Sequence, residues 1–400
     1  MKIIIPRNGS KGREILYQNK WYEFDKPYEV DLSTALRMKR ELNVDLVYTK
    51  YQYDPNLWKN EKIATFISDI DTTSGWGNVS IQLLKNSPGI KFSQIGRLTD
   101  ITEPLVLAAA RRDINQNSAA IIHEQPKSDW ILSPFSKNIC ITPFETTKVP
   151  ASWVPRLNSM DAVLVPCKQN IQMMKDSGVI KPVDLIHWGV DTSKFFPISR
   201  REGRPFTFGH MGALSIRKGT DILVRAFKAA FPTETDVRLI NKTSNRGYPF
   251  MDFKDKRIEV QMGAVPHGQL IRDFFEQIDC FVFPTRGEGF GLPPLEAMAT
   301  GVPAIATGWS GIVEFLDNRH GWLIDYTMDK AVEFDQKVYH EDCGDWAVPS
   351  FDHLVYLLRY AYEHRDEVKQ KGLLAQEFVK NEWAWDKKIS LFHDALHRYL

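Results

Sequence analysis

Hydrophobic and polar positions along the 400-residue chain fall into short apolar runs, each closed by a turn and followed by a stretch of helical period. Apolar runs at 2–6, 44–48, 63–71, 90–95, 119–123, 138–144, 161–167 and 183–187 read as strands. Helices are expected over 32–42, over 79–84 and through Met173 and Met174. Residues 189–205 break the pattern, because they are polar, turn-rich and aperiodic, and they read as a linker. A second series follows, with strands at 206–210, 237–241, 258–261, 280–283, 304–306 and 322–324. Helices at 220–230 and 268–277 fill two of its intervals, and 383–400 closes the chain as an amphipathic helix. Strand and helix alternating through two series predict an α/β chain of two doubly wound, Rossmann-like domains.

Composition narrows this picture only slightly. With 43% apolar and 25% charged residues and a net charge of +1, the chain reads as an ordinary soluble protein without bulk attraction to nucleic acid or anionic membrane. Residues 1–200 carry 26 basic against 21 acidic side chains, a mild bias that an anionic acceptor could use. Cys140, Cys167, Cys280 and Cys343 have no metal-ligand spacing, and buried thiols of a reducing compartment are expected. The N-terminal apolar run is too short for a signal peptide, and no stretch approaches eighteen apolar residues. A cytoplasmic protein, or one peripheral at a membrane surface, is the expectation.

The chemistry concentrates in residues 284–314, which begin PTRGEGFGLPPLEAMATGVPAIAT. An apolar strand ends there in a glycine-rich turn that opens a helix near Leu292, which makes an anion cradle of unpaired N–H groups. Glu288 and Glu296, eight residues apart, would repel phosphate unless they face sugar hydroxyls, which donate hydrogen bonds. This stretch resembles the nucleotide-sugar site of family-four retaining glycosyltransferases of the GT-B fold. The resemblance implies that residues 1–195, completed by the terminal helix 383–400, form an acceptor-side domain. Residues 196–382 would form the donor-binding domain, with the cleft between the two.

Several residue roles follow from the same resemblance. Glu296 would hold the ribose and Glu288 the donor sugar, while Gly289, Phe290, Gly291 and Leu292 bring backbone close to the ligand. Arg217 and Lys218, in the run Ser215-Ile-Arg-Lys-Gly, would neutralise the diphosphate as its bond to the sugar breaks. The family's usual arginine position is Ala213 here, so Arg217 takes that part, and Gly212 would approach the leaving phosphate. The base would lie against the main chain of 262–265, ending at Val265. A nucleotide diphosphate sugar is thus the implied donor, UDP before GDP or ADP, with no tightly bound cofactor and no metal.

In the first half, Glu145 stands where many relatives carry a histidine, and it aims a carboxylate at the cleft. His123 closes another strand and would contact the donor. The turn Ser74-Gly75-Trp76-Gly77-Asn78 resembles the family's glycine loop over the diphosphate, although 8–12 is a second candidate for that loop. Asp69 and Asp71 alternate onto one strand face, as in metal-dependent transferases of the GT-A fold, but they read here as a strand end. The implied reaction is retaining glycosyl transfer to an acceptor hydroxyl of a glycan or lipid-linked glycan. The alternatives are a hydroxylated DNA base as acceptor, or a phosphorylase that needs no nucleotide.

Overall fold

The computed structural model describes residues 2–5, 14–18, 20–30, 34–35, 38, 47–48, 52–126, 133–199, 203–244 and 253–400. The glycine run 8–12 lies outside them. Two six-stranded parallel sheets organise the chain. The first contains β1 (Ile63–Ile67), β2 (Lys91–Ile95), β3 (Ala119–His123), β4 (Asn138–Ile141), β5 (Ala162–Val165) and β6 (Val183–Leu185). Their spatial order is β6-β5-β4-β3-β1-β2. The second contains β7 (Phe206–Met211), β8 (Val237–Thr243), β9 (Ile258–Met262), β10 (Cys280–Phe283), β11 (Ala304–Thr307) and β12 (Gly321–Ile324), ordered β9-β8-β7-β10-β11-β12. Every residue of β3, β4, β5, β10 and β11 is buried, as continuous apolar strands covered on both faces require.

Strand order fixes where a ligand can bind. The first sheet reverses direction between β1 and β3, and the second between β7 and β10. Crevices at the carboxyl ends of strands flanking such reversals are the binding positions of doubly wound sheets. His123 and the turn 72–77 lie at the first reversal, and Gly212, Lys218 and Glu288 at the second. The chain is therefore an α/β protein of two Rossmann-like units in the GT-B arrangement.

Three elements differ from the sequence pattern. The runs at 2–6 and 44–48 do form strands, Lys2–Ile4 and Val47–Tyr48, but they pair antiparallel in a separate small sheet with Pro27–Glu29. The first strand of the large sheet is thus Ile63–Ile67. An apolar triplet reads alike in either setting, and only the crossover that follows separates them. The helix expected over 268–277 is broken into Leu270–Asp273 between two 3-10 turns. Last, Tyr326–Lys330 and Asp345–Pro349 form a hairpin that the pattern did not reveal.

That hairpin carries an arm across to the first sheet. Phe334, Cys343 and Trp346 are buried in one cluster with Ile122, Cys140, Val163 and Trp153. Lys148 pairs with Asp342 at 2.7 Å, and the Ser152 amide donates to Glu341 at 2.9 Å. The final helix, Trp385–Tyr399, also returns to the first half. His393 meets Ser87 at 2.8 Å, and the Tyr399 hydroxyl donates to Asp184 at 2.7 Å.

Candidate functional site

A cleft enclosing about 270 Å³ opens at the carboxyl ends of β7, β8 and β9. Thr73, Ser74 and Gly75 close it from the first half, facing Gly212, Lys218, Lys242, Val265, His267, Leu292 and Glu296 from the second. This volume is near the ~300 Å³ lower end of small-molecule sites. A larger hollow of about 380 Å³ beside Arg204 and Glu259 lies at the opposite strand ends, where such sheets do not bind ligands.

Beside the cleft, Glu288 gathers the basic residues. Its Oε1 accepts from Lys218 Nζ at 2.7 Å, Thr285 Oγ1 at 2.9 Å and Arg217 Nη1 at 3.1 Å. Burial would raise the Glu288 carboxyl, but Lys218 and Arg217 outweigh it and hold it below the usual range, so it is ionised. Arg217 also donates to the Gly287 carbonyl at 2.8 Å, and its backbone amide donates to Glu333 on the arm at 3.2 Å. Glu145 approaches Arg217 from the first half at 3.9 Å. Burial raises the Glu145 carboxyl, Arg217 opposes this, and the Glu288 charge adds to the rise. Two acids thus face one arginine, one held ionised and the other pushed towards its neutral form.

The helix Leu292–Ala299 starts at Gly291, whose φ of 102° lies in the left-handed region and suits glycine. Its next two residues, Pro293 and Pro294, have no N–H, so the first turn offers few donors beyond the Leu292 amide. Glu296, one turn in, is 2% exposed. Its Oε1 meets His267 Nε2 at 3.2 Å, while its Oε2 is buried without a hydrogen-bond partner among the described residues. A buried carboxylate oxygen without a donor, on a residue that lines the cleft, suits a hydroxyl that a ligand brings.

His267 extends this contact across the cleft. Its backbone amide donates to the Thr72 carbonyl at 3.2 Å, and its Nδ1 lies 3.3 Å from the same oxygen. Burial lowers the imidazole, but Glu296 and the Thr72 carbonyl outweigh it, and the result is raised. An acceptor at each ring nitrogen favours the doubly protonated, imidazolium form.

The first-half residues divide. Gly75 lines the cleft, whereas Gly77 does not: a Cβ there would fall 2.2 Å from the Asp71 carbonyl oxygen, so this glycine seats the helix Gly75–Lys85 on its strand. Asp71 builds the turn. Its carboxylate accepts from the amides of Thr73 and Ser74 and from both their hydroxyls, at 2.6–2.8 Å. Asp69 instead holds Arg97. Both acids of the expected strand end are therefore engaged locally. His123 does not line the cleft. It is wholly buried, stacked under Trp76 at 4.5 Å and bonded to Ser80 at 2.7 Å, and burial pushes it down to about 3. The Phe290 ring is likewise core, packed among Trp188, Phe315 and Trp383, and Gly289 lies against Pro143 of the first half.

Sequence reading missed Thr285, His267, Glu333 and Lys242. Thr285 stood inside the motif and could have been read as a hydroxyl donor at the strand end. The other three join the site only through tertiary contacts.

The family model described as Glycosyl transferases group 1 matches residues 205–339. The lipopolysaccharide core biosynthesis mannosyltransferase LpsB of Rhizobium meliloti is 34% identical over 143 residues, covering 32% of this chain and 40% of that protein. The capsular polysaccharide biosynthesis glycosyltransferase CapM of Staphylococcus aureus is 29% identical over 131 residues, 32% of this chain and 34% of that one. The chain thus spans less than half the length of these curated relatives. Among solved structures, sucrose-phosphate synthase from Thermosynechococcus elongatus superposes with a TM-score of 0.61 at 16% identity, over 84% of this chain and 98% of that one. HepE of Anabaena, in complex with UDP and glucose, gives 0.61 at 13% identity, over 84% and 100%.

Proposed function

We propose that this chain, whose residues 205–339 match the Glycosyl transferases group 1 model, transfers a sugar from a nucleotide diphosphate to an acceptor hydroxyl, with retention. The observation that carries this reading is the pairing of Lys218 and Arg217 with Glu288 beside a cleft that also holds the open oxygen of Glu296. Before the donor binds, Glu288 neutralises both cations. An arriving diphosphate takes over that role, and Glu288 turns to the sugar hydroxyls. Lys218 and Arg217 then stabilise the charge that grows on the leaving diphosphate, the largest demand of the reaction. Glu296 takes the ribose hydroxyls.

The state of Glu145 bears on the route. A double displacement needs an ionised nucleophile, but burial and the Glu288 charge push Glu145 towards the neutral form. That upward shift disfavours Glu145 as a nucleophile and favours same-face transfer through an ion-pair-like state. Closure of the cleft excludes the water that would hydrolyse the donor.

UDP is the favoured nucleotide, in keeping with HepE, and GDP or ADP are the other candidates. A glycan acceptor is favoured because the curated relatives serve lipopolysaccharide and capsule synthesis. No helix among the described residues is long and apolar enough to cross a membrane.

Thermal-shift titration with a panel of nucleotide sugars tests this reading, because a ligand of the native state raises its melting temperature by mass action. At least one is expected to stabilise the protein. Lys218→Ala is expected to lower donor turnover by about tenfold or more. Unchanged turnover in that variant would remove the assignment.

A further inference from the structure

Among the described residues of the cleft, Lys242 is the one whose charge the fold does not explain. It sits near the carboxyl end of β8, lines the cleft, and is 8% exposed. No side-chain hydrogen bond or ion pair engages it among the described residues, and neither neighbouring carboxylate pairs with it. Glu288 is held by Lys218, Arg217 and Thr285, and Glu296 meets His267 through one oxygen while its other oxygen receives no donor among the described residues, Lys242 included. A mostly buried ammonium without an acceptor is unfavourable. A ligand that supplies the acceptor removes that penalty on binding.

Strand order indicates which part of a ligand reaches it. Across the cleft stand, in sequence, Glu288 after β10, Gly212 and Lys218 after β7, Lys242 on β8, and Gly263–Val265 after β9. The register is tight: Lys242 pairs with Met211 on one side and Gln261 on the other. The Gly212 amide donates to the Lys242 carbonyl at 3.0 Å. Ile240, two residues earlier, packs in the same cluster as Leu270 and Phe274, so alternation sends the Lys242 side chain out on the Leu270 side. Leu270 and His267 line the cleft on that side. The phosphates already have Lys218 and Arg217, which lie nearer the sugar end. What remains for β8 is the far end of the nucleotide.

We propose that Lys242 selects the nucleobase, donating to a ring carbonyl oxygen and so favouring uracil or guanine over adenine. Guanine presents a carbonyl acceptor where adenine presents an amino donor, and uracil carries carbonyl oxygens as well. An ammonium has three donors and no acceptor, so it can serve the first kind of edge and not the second. This inference rests on the donor-site reading above and goes further, to a base class that the main-chain loop 262–265 cannot choose alone.

The test is calorimetric titration of UDP, GDP and ADP, without sugar, into the wild-type chain, Lys242→Met and Lys242→Gln. Wild type is expected to bind UDP or GDP about tenfold or more tightly than ADP. In both variants the gap should close to within about threefold, with the loss falling on the carbonyl-bearing nucleotide and ADP unchanged. Thermal melts should show Lys242→Met no less stable than wild type, because it removes a charge the fold leaves unpaired. Parallel weakening of all three nucleotides would place the ammonium on the phosphates and overturn the inference. So would an unaltered preference, a wild-type preference for ADP, or a clear loss of stability in both variants. If wild type binds none of the three, the donor-site reading itself fails, an outcome distinct from binding without base preference.

Discussion

His267 shows how one side chain couples ligand site and closure. It touches the Glu296 carboxylate, the proposed ribose contact, with one nitrogen and a carbonyl of the opposite half with the other. Its raised imidazole gives a signed prediction. A group whose folded value lies above its unfolded one stabilises the native state fully below the unfolded value, and that gain disappears as pH rises through the folded value. The melting temperature of the ligand-free chain should therefore fall over the pH interval just above the ordinary imidazole range. In His267→Asn the fall over that interval should be smaller. Parallel pH profiles for the two proteins would show that the ring is not charged in the closed state. Nothing local announced this residue. Glu288 and Glu296 were legible because their partners of turn, proline and helix are contiguous, whereas His267 acquires its meaning from Thr72, 195 residues away.

At the scale of elements, the strand-turn-helix units explain both what the pattern disclosed and what it concealed. Buried parallel strands stood out as unbroken apolar runs, and the helix Thr220–Ala230 matched its periodicity end to end. The antiparallel pairing of Lys2–Ile4 with Pro27–Glu29 and Val47–Tyr48 did not stand out, because it depends on what each strand meets rather than on its own residues. The pair Asp69 and Asp71 is a similar case. One sequence feature splits into an exposed ion pair with Arg97 and a carboxylate that organises the turn before Gly75. For Asp71 burial raises the carboxyl, but the hydrogen bonds of Ser74 and Thr73 outweigh it and hold it low. Asp71→Ala should cost about 2 kcal/mol or more in chemical denaturation, because two amides and two hydroxyls lose a charged acceptor. It should also weaken nucleotide binding through the displaced turn. Asp69→Ala should stay within about 0.5 kcal/mol of wild type. Equal losses in the two variants would contradict the division of labour.

For the whole molecule, the halves are joined by more than the linker. The arm inserts Phe334 and Tyr339 around Phe144 and Trp153, and the last helix grips Ser87 and Asp184. Phe334→Ala should remove about 3 kcal/mol of this docking. Solution scattering should then report a larger radius of gyration, and amide exchange should quicken at 144–153, while the cleft of the second half still binds nucleotide. An unchanged scattering profile and exchange rate would mean that the arm is a passenger. The arm lies where Glu333 backs Arg217, whereas the opposite rim at Thr73 and Ala264 is bridged, among the described residues, by the contacts of His267 with the Thr72 carbonyl. A box latched firmly on one edge and lightly on the other opens first at the light latch. The spent nucleotide is therefore expected to leave past Thr73, and the rate of that exit, rather than of bond breaking, is what a shorter or longer arm would change.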